Sequence, residues 1–315
     1  MKYTVLGRAG IHVSRISMGT HHLDDPSDID RHASNILYAY EKGINFFESG
    51  ATYGDGNSEI ILGRAVREMK KGKLPFYIMS KTHFGDHKTF RRDLENSLKR
   101  LGVDSIDSFT CLWGVKSICE WDGAKAFGAL AEMEKARKEG LIRHISIPAH
   151  LESEEMQRLM QDYPFDICEM GINVLNSIYK MDWLKAAWKN GAGILAMNPL
   201  ASGDLLRFQN IFSSICLREG QSVVQAAYTY GLSLPWIHSV LGAFNSPQQI
   251  DEAISALEQP PYSQEELSEV QKRLRKSIAD CPYEERLSVG RQLRSRAAFP
   301  RGEAADLMQV YPLSI

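Results

Sequence analysis

The 315-residue sequence predicts an α/β protein in which eight strand–helix units close into a single (β/α)8 barrel. Three observations lead there. Short apolar runs alternate with amphipathic stretches from end to end. There are eight such runs, and eight parallel βαβ units close on themselves more readily than they extend as an open sheet. Glycines stand where helical stretches give way to the next run, the place where a left-handed helix end is useful.

Taken in order, the first ten or so residues read as a short hairpin plugging the barrel floor. Apolar runs then fall at 16–18, 44–47, 76–80, 106–112, 144–147, 167–170, 193–197 and 239–241. Helical stretches lie between them at 29–42, 58–70, 90–101, 123–138, 153–161, 180–189 and 221–232, each with apolar residues three and four apart. Gly43, Gly102, Gly140 and Gly191 mark helix-to-strand junctions, and Ser246-Pro247 supplies an N-cap and first-turn proline after the eighth run. Residues 1–282 read as one barrel domain. Beyond them periodicity weakens, and 283–315 read as a C-terminal extension packed on the barrel.

Bulk composition narrows the function classes. A chain this long, 43% hydrophobic, can bury a large core. Its net charge of −2 offers no basic excess to match nucleic-acid phosphates. Cys111, Cys119, Cys168, Cys216 and Cys281 are odd in number and never at C-x-x-C spacing, which argues against a disulfide framework or zinc knuckle. The start of the chain lacks an apolar signal-peptide core, and no run of about 18 apolar residues occurs. The expectation is a soluble cytoplasmic enzyme acting on a small molecule, without membrane or nucleic-acid partners; no metal ligands are assigned, and whether histidines hold a metal is not legible. Oligomeric state is not legible.

YTVLGRAGIHVSRISMGT resembles the opening hairpin and first strand of the aldo/keto reductase family. INFFESGATYGDGNSEIILGRAV resembles its second strand and catalytic-tyrosine loop, and FYIMSKT the third strand ending in a catalytic lysine. FRRDLENSLKRLGVDSIDSF, KARKEGLIRHISI, MNPLASGDLL and VLGAFNSPQQIDEAISAL follow the later elements, so the likeness spans roughly residues 1–280. It is nearest the subgroup whose C-terminal tail binds iron–sulfur clusters. This tail holds only Cys281, so no such cluster is expected.

The resemblance implies carbonyl reduction by NADP or NAD, in which a tyrosine protonates the carbonyl oxygen as hydride arrives. By position Tyr53 is the acid, Lys81 the neighbour that lowers the phenol's pKa, and Glu48 the carboxylate that orients Lys81. A lysine closing an apolar strand also calls for a partner on elementary grounds. Cofactor contacts are implied at Thr20, Glu169, Asn173, Leu200, Gly203, Leu205, Gly242, Asn245, Ser246, Gln249 and Glu252. The helix start at Ser246 is a ready anion site.

The sequence departs from the family at the reacting end. Glu48 replaces an aspartate. Leu112 replaces a histidine, and losing such a donor typically costs roughly two to three orders of magnitude in rate. Pro148 replaces a serine and Glu169 a glutamine at the nicotinamide carboxamide. A carboxylate accepts from an amide NH2 but cannot donate to its carbonyl. No Arg or Lys stands in GAFNSPQQIDEAI to hold a 2′-phosphate, so NADPH and NADH both remain open. Meanwhile His21, His22, His83 and His150 follow strands one, three and five, whose ends share one mouth. His22 and His83 are the expected acid–base pair, while His21, Trp113 and His150 are expected to line the substrate pocket. Three functions are compatible: an NAD(P)H-dependent reductase, a lyase, dehydratase or isomerase using Tyr53 and Lys81 with a mouth histidine, and a non-catalytic nucleotide or partner binder.

Overall fold

The computed structural model describes residues 1–82, 85–112, 114–151 and 153–282. His83, Trp113 and the extension expected at 283–315 lie outside the described residues. An antiparallel hairpin of β1 (Tyr3–Val5) and β2 (His12–Ser14) comes first, ending a few residues later than expected. The barrel strands are β3 (Ile16–Gly19), β4 (Phe46–Glu48), β5 (Tyr77–Lys81), β6 (Ile106–Thr110), β7 (Ile142–His144), β8 (Ser146–Ala149), β9 (Ile167–Gly171), β10 (Gly193–Met197) and β11 (Ser239–Ala243). All neighbouring barrel strands pair in parallel.

The fifth barrel strand is split at Ile145: β7 pairs with β6, while β8 pairs with β9. Pro148 within β8 has no N–H to give to a ladder. Its carbonyl instead accepts from the Val115 N–H at 2.8 Å, and a parallel bridge between Val115 and Ala149 draws the two sides of the ring together. The helices are α1 (Ile29–Glu41), α2 (Asn57–Met69), α3 (His87–Leu101), α4 (Ile118–Ala126), α5 (Ala129–Lys138), α6 (Ser153–Asp162), α7 (Met181–Asn190), α8 (Asp204–Arg207), α9 (Gln209–Phe212), α10 (Val223–Ser233), α11 (Pro247–Ser255) and α12 (Gln264–Asp280). The stretch expected as one helix over 123–138 is two, α4 and α5. Gly128, at φ +83°, breaks the helix and starts α5 afresh. The helix α12 opens on a capping box between Ser263 and Glu266.

Strand alternation decides what enters the barrel. Phe46, Met79, Ile167 and Leu195 point inward and pack under Leu6, Ala9 and Val13 of the hairpin. At the same floor, side chains at one strand start take an N–H from its neighbour. Asn45 accepts from Ser14 (2.7 Å), Asp107 from Ile78 (2.8 Å), Asp166 from Ile145 (2.9 Å) and His238 from Ile194 (3.0 Å). These bonds pin the register, which must be correct to one residue if the inward set is to stay inward. A polar middle follows, with Ser17 bonded to Ser239 and Ser108 to Ser146. Two residues above Phe46, Met79 and Ile167 stand Glu48, Lys81 and Glu169. The same period-two rule therefore sends these three side chains into the C-terminal mouth.

Candidate active site

The three inward groups meet. Lys81 Nζ lies 2.6 Å from Glu48 Oε1 and 2.9 Å from Glu169 Oε2, with all three side chains at most 4% exposed. The Tyr53 hydroxyl donates to Glu48 Oε1 at 3.0 Å. Burial works against the Lys81 ammonium, but the carboxylates of Glu169 and Glu48 outweigh it and hold the pKa well above the usual lysine range. Burial raises the pKa of Glu169, with Glu48 adding to the rise and Lys81 opposing it.

Local structure explains how a glutamate is accommodated where the resemblance leads one to expect aspartate. Gly19, across from Glu48 in the sheet, has no side chain, and a Cβ there would stand 3.0 Å from Glu48 Oε2. Below, Thr20 Oγ1 donates to the Glu48 carbonyl at 3.0 Å and bonds Ser58 at 2.6 Å, so this hydroxyl anchors the end of β4. Tyr53 is held by the turn N–H bond from its own backbone to Gly50 O (3.0 Å) and packs its ring against Gly50.

His21 lies against Tyr53, with ring centroids 4.4 Å apart and planes tilted by 35°, and His22 lies a further ring away at 4.8 Å from His21. Burial, then His22 and Lys81, pull the His21 pKa down. His150 is largely buried. Its ring fits between two glycines: a Cβ on Gly114 would approach its Cδ2 to 3.0 Å, and one on Gly171 its Cε1 to 3.4 Å. Its Nδ1 is buried with no hydrogen-bond partner among the described residues. Burial, followed by the charges of Lys180, Lys81 and Lys116, pushes its pKa down to about 3. His150 is therefore a neutral imidazole, with one ring N–H to donate and one nitrogen to accept. Leu112, at the end of the fourth barrel strand, is buried and has no donor to offer.

Residues around the expected dinucleotide groove give a test of fit. After β10, Asn198, Ala201 and Ser202 all have positive φ (59°, 50° and 58°), followed by Gly203 at 90°. Backbone outliers of this kind cost free energy and gather at functional loops, and successive N–H groups in such turns form anion-binding concavities. Nothing lies within 4 Å of where a Gly203 Cβ would be, so this backbone faces open space. Leu205, two residues on, is buried beneath it. Across the groove, Ser246 caps α11 through the Gln249 N–H (3.4 Å), and the Gln249 side chain accepts from the Asn245 N–H at 2.7 Å. Glu252 accepts from Ser222 at 2.7 Å, and Asn173 donates to the Asn198 carbonyl at 3.2 Å, bracing the strained turn. Gly242 turns away from the mouth toward Tyr228 of α10. The left-handed turn at Ala201–Gly203, with open space above Gly203, and the capped start of α11 present backbone N–H groups of the kind an anionic dinucleotide needs, so the residues present fit that cofactor. Among the described residues no group of three or more His, Cys, Asp or Glu side chains is placed to hold a metal ion.

Comparison with known proteins agrees with this fold. L-galactose dehydrogenase of Arabidopsis thaliana is 24% identical over 298 residues, covering 84% of this chain and 92% of the relative. NADH-specific methylglyoxal reductase of Escherichia coli K12 is 24% identical over 309 residues, covering 82% and 94%. An aldo-keto reductase from Klebsiella pneumoniae, solved in complex with NADPH, superposes with a TM-score of 0.71 at 23% identity, covering 86% of this chain and 95% of that one. The profile of the aldo/keto reductase family matches residues 15–275, and the chain belongs to this family of NAD(P)-dependent oxidoreductases.

Proposed function

We propose that the protein reduces a small aldehyde, ketone or sugar-like carbonyl with NADPH or NADH, using Tyr53 as the proton donor. The observation that carries this reading is the linked pair of contacts from Tyr53 Oη to Glu48 (3.0 Å) and from Glu48 to Lys81 (2.6 Å). They tie a hydroxyl proton to a fixed carboxylate and ammonium at the barrel mouth. When bound, the dinucleotide supplies the hydride. The Tyr53 hydroxyl gives its proton to the carbonyl oxygen, and the Lys81 ammonium, 5.8 Å from the phenol ring centre, stabilises the phenolate left behind. Glu48 fixes both groups, so little reorganisation accompanies the transfer. His150 takes the place of the donor missing at Leu112 and holds the substrate oxygen through its ring N–H. Leu200, Gly203, Asn245 and Ser246 hold the phosphates, and Glu169 the carboxamide. The relatives' names, a sugar dehydrogenase and a methylglyoxal reductase, support a small polar carbonyl as substrate.

The test is direct. Purified protein is titrated with NADPH and NADH by fluorescence quenching, then offered a panel of aldehydes, ketones and sugars while loss of the reduced nicotinamide is followed. Binding with turnover on part of the panel is expected. If neither dinucleotide binds, the proposal fails. A second reading, proton-transfer chemistry without net redox, is favoured by one observation: Glu169 places another carboxyl across the mouth from Tyr53. Turnover of a substrate with no change in nicotinamide absorbance identifies that case.

A further inference from the structure

Among the described residues the charges in the mouth do not balance. Two buried carboxylates, Glu48 and Glu169, share one ammonium, Lys81. Among the described residues the other buried ammonium at this end is Lys180, which has partners of its own. It donates to the Gly171 carbonyl at 3.0 Å and lies over the Trp183 ring, 4.4 Å from its centre. His150 is neutral, as its pKa of about 3 requires. His21 is exposed at the rim. Burial raises the Glu169 pKa while Lys81 opposes the rise, and above that pKa, with both carboxylates ionised, the cluster carries one net negative charge, out of water, where charge acts strongly.

Hydride has to pass to or from the carbon whose oxygen Tyr53 serves. A nicotinamide ring in this protein therefore shares the pocket with the Lys81 cluster. The oxidised ring carries one positive charge more than the reduced ring. We propose that Glu169 makes this protein bind the oxidised nicotinamide dinucleotide more tightly than the reduced one, so that the oxidised form is the resting state of the loaded protein. The inference rests on the reductase reading for the presence of the dinucleotide and adds to it a redox preference set by one residue. At an effective dielectric of about 20, a unit charge acting across one pocket is worth at least ~10-fold in an equilibrium, which sets the expected preference. The equilibrium of the reaction in solution is unchanged. In the reducing direction the preference shows as product inhibition by the oxidised dinucleotide. In the reverse direction Tyr53 would take the hydroxyl proton of a carbinol and pass its own proton to Glu48, with the oxidised dinucleotide, when bound, supplying the hydride acceptor.

Dissociation constants for NAD+, NADH, NADP+ and NADPH are measured by calorimetry on the full chain, for wild type, Glu169→Gln and Glu169→Asp. The expected result is an oxidised-over-reduced preference of at least ~10-fold in wild type, near unity in Glu169→Gln and largely restored in Glu169→Asp. Equal affinities in wild type, or a preference for the reduced form, overturn the inference while leaving the reductase reading intact. A preference that survives Glu169→Gln overturns the role of Glu169. Failure of all four dinucleotides to bind overturns the reductase reading itself, and the inference with it. The wild-type ratio stands on its own should Glu169→Gln prove unstable.

Discussion

The carboxylate of Glu169 on β9 reaches Lys81 on β5 across the barrel mouth, 2.9 Å apart, although these strands are not neighbours in the sheet. The pair braces the ring from within, and Glu48 closes on the same ammonium from the other side. Removing the cation strands two carboxylates in a site at most 4% exposed. Lys81→Met is therefore expected to destabilise the fold by about 3–5 kcal/mol, the usual cost of breaking a buried pair from one side. The double variant Lys81→Met/Glu169→Gln should lose less than the sum of the two single changes, because one stranded charge is gone. Urea unfolding of the four proteins measures this; strict additivity contradicts the pairing.

Tyr53 offers a cleaner separation of binding from chemistry. Phenylalanine keeps the ring that packs on Gly50 and His21 and removes only the hydroxyl that donates to Glu48. If Tyr53 is the acid, kcat for carbonyl reduction falls by ~10²- to 10⁴-fold in Tyr53→Phe. Dinucleotide affinity stays within a few-fold of wild type. Unchanged turnover removes the assignment.

The fold was legible because its signals are local and repeated. The strands fall on the predominantly apolar runs, and Gly102 and Gly191 do cap α3 and α7 in the left-handed conformation. The Tyr53–Glu48–Lys81 group was legible through motif position, and strand alternation alone places Glu48 and Lys81 on the inward face. Three features were not. The Gly128 break between α4 and α5 hides inside a continuous amphipathic pattern, since glycine in a helical stretch does not announce its φ. The ion pair from Glu169 joins residues 88 apart on non-adjacent strands, a distance no local pattern encodes. Which histidine meets Tyr53 depends on the turn after β3, where His21 and His22 are adjacent in sequence and only the backbone path distinguishes them. The cradle for His150 could have been suspected from Gly114 and Gly171, one after β6 and one ending β9.

A second buried ion pair lies outside the barrel and provides a stability test independent of activity. Glu59 on α2 is fully buried, accepting from Ser80 at 2.5 Å and from Arg100 Nε on α3 at 2.7 Å. Arg100→Leu leaves that carboxylate with a single hydroxyl. The expected cost is about 3 kcal/mol, a fall in Tm of roughly 4–6 °C for a domain of this length. Replacing both residues by leucine should recover much of the loss. Turnover below the melting range should match wild type, because neither side chain reaches the mouth cluster. Calorimetric melting with parallel assays checks both statements.

His150 makes a prediction in pH. Its pKa is pushed down to about 3 in the fold, by burial first and then by Lys180, Lys81 and Lys116, against about 6.5 in the unfolded chain. The fold thus favours the neutral ring. The stability it contributes is fully present above pH ~6.5 and is lost as pH falls toward ~3, because the unfolded chain takes up the proton first. The slope reaches at most ~1.4 kcal/mol per pH unit. Glu169, with its raised pKa, acts in the opposite sense, as do other titrating groups in their own ways, so the informative quantity is the difference from His150→Phe. That difference should be flat above pH ~6.5 and should change below it in the direction that favours the variant. A flat difference down to pH 4 means the ring is not held neutral. The same variant tests the donor role: kcat/KM should fall ~10²- to 10³-fold. Adding Leu112→His to it should return part of that loss if a donor at this mouth is what was removed.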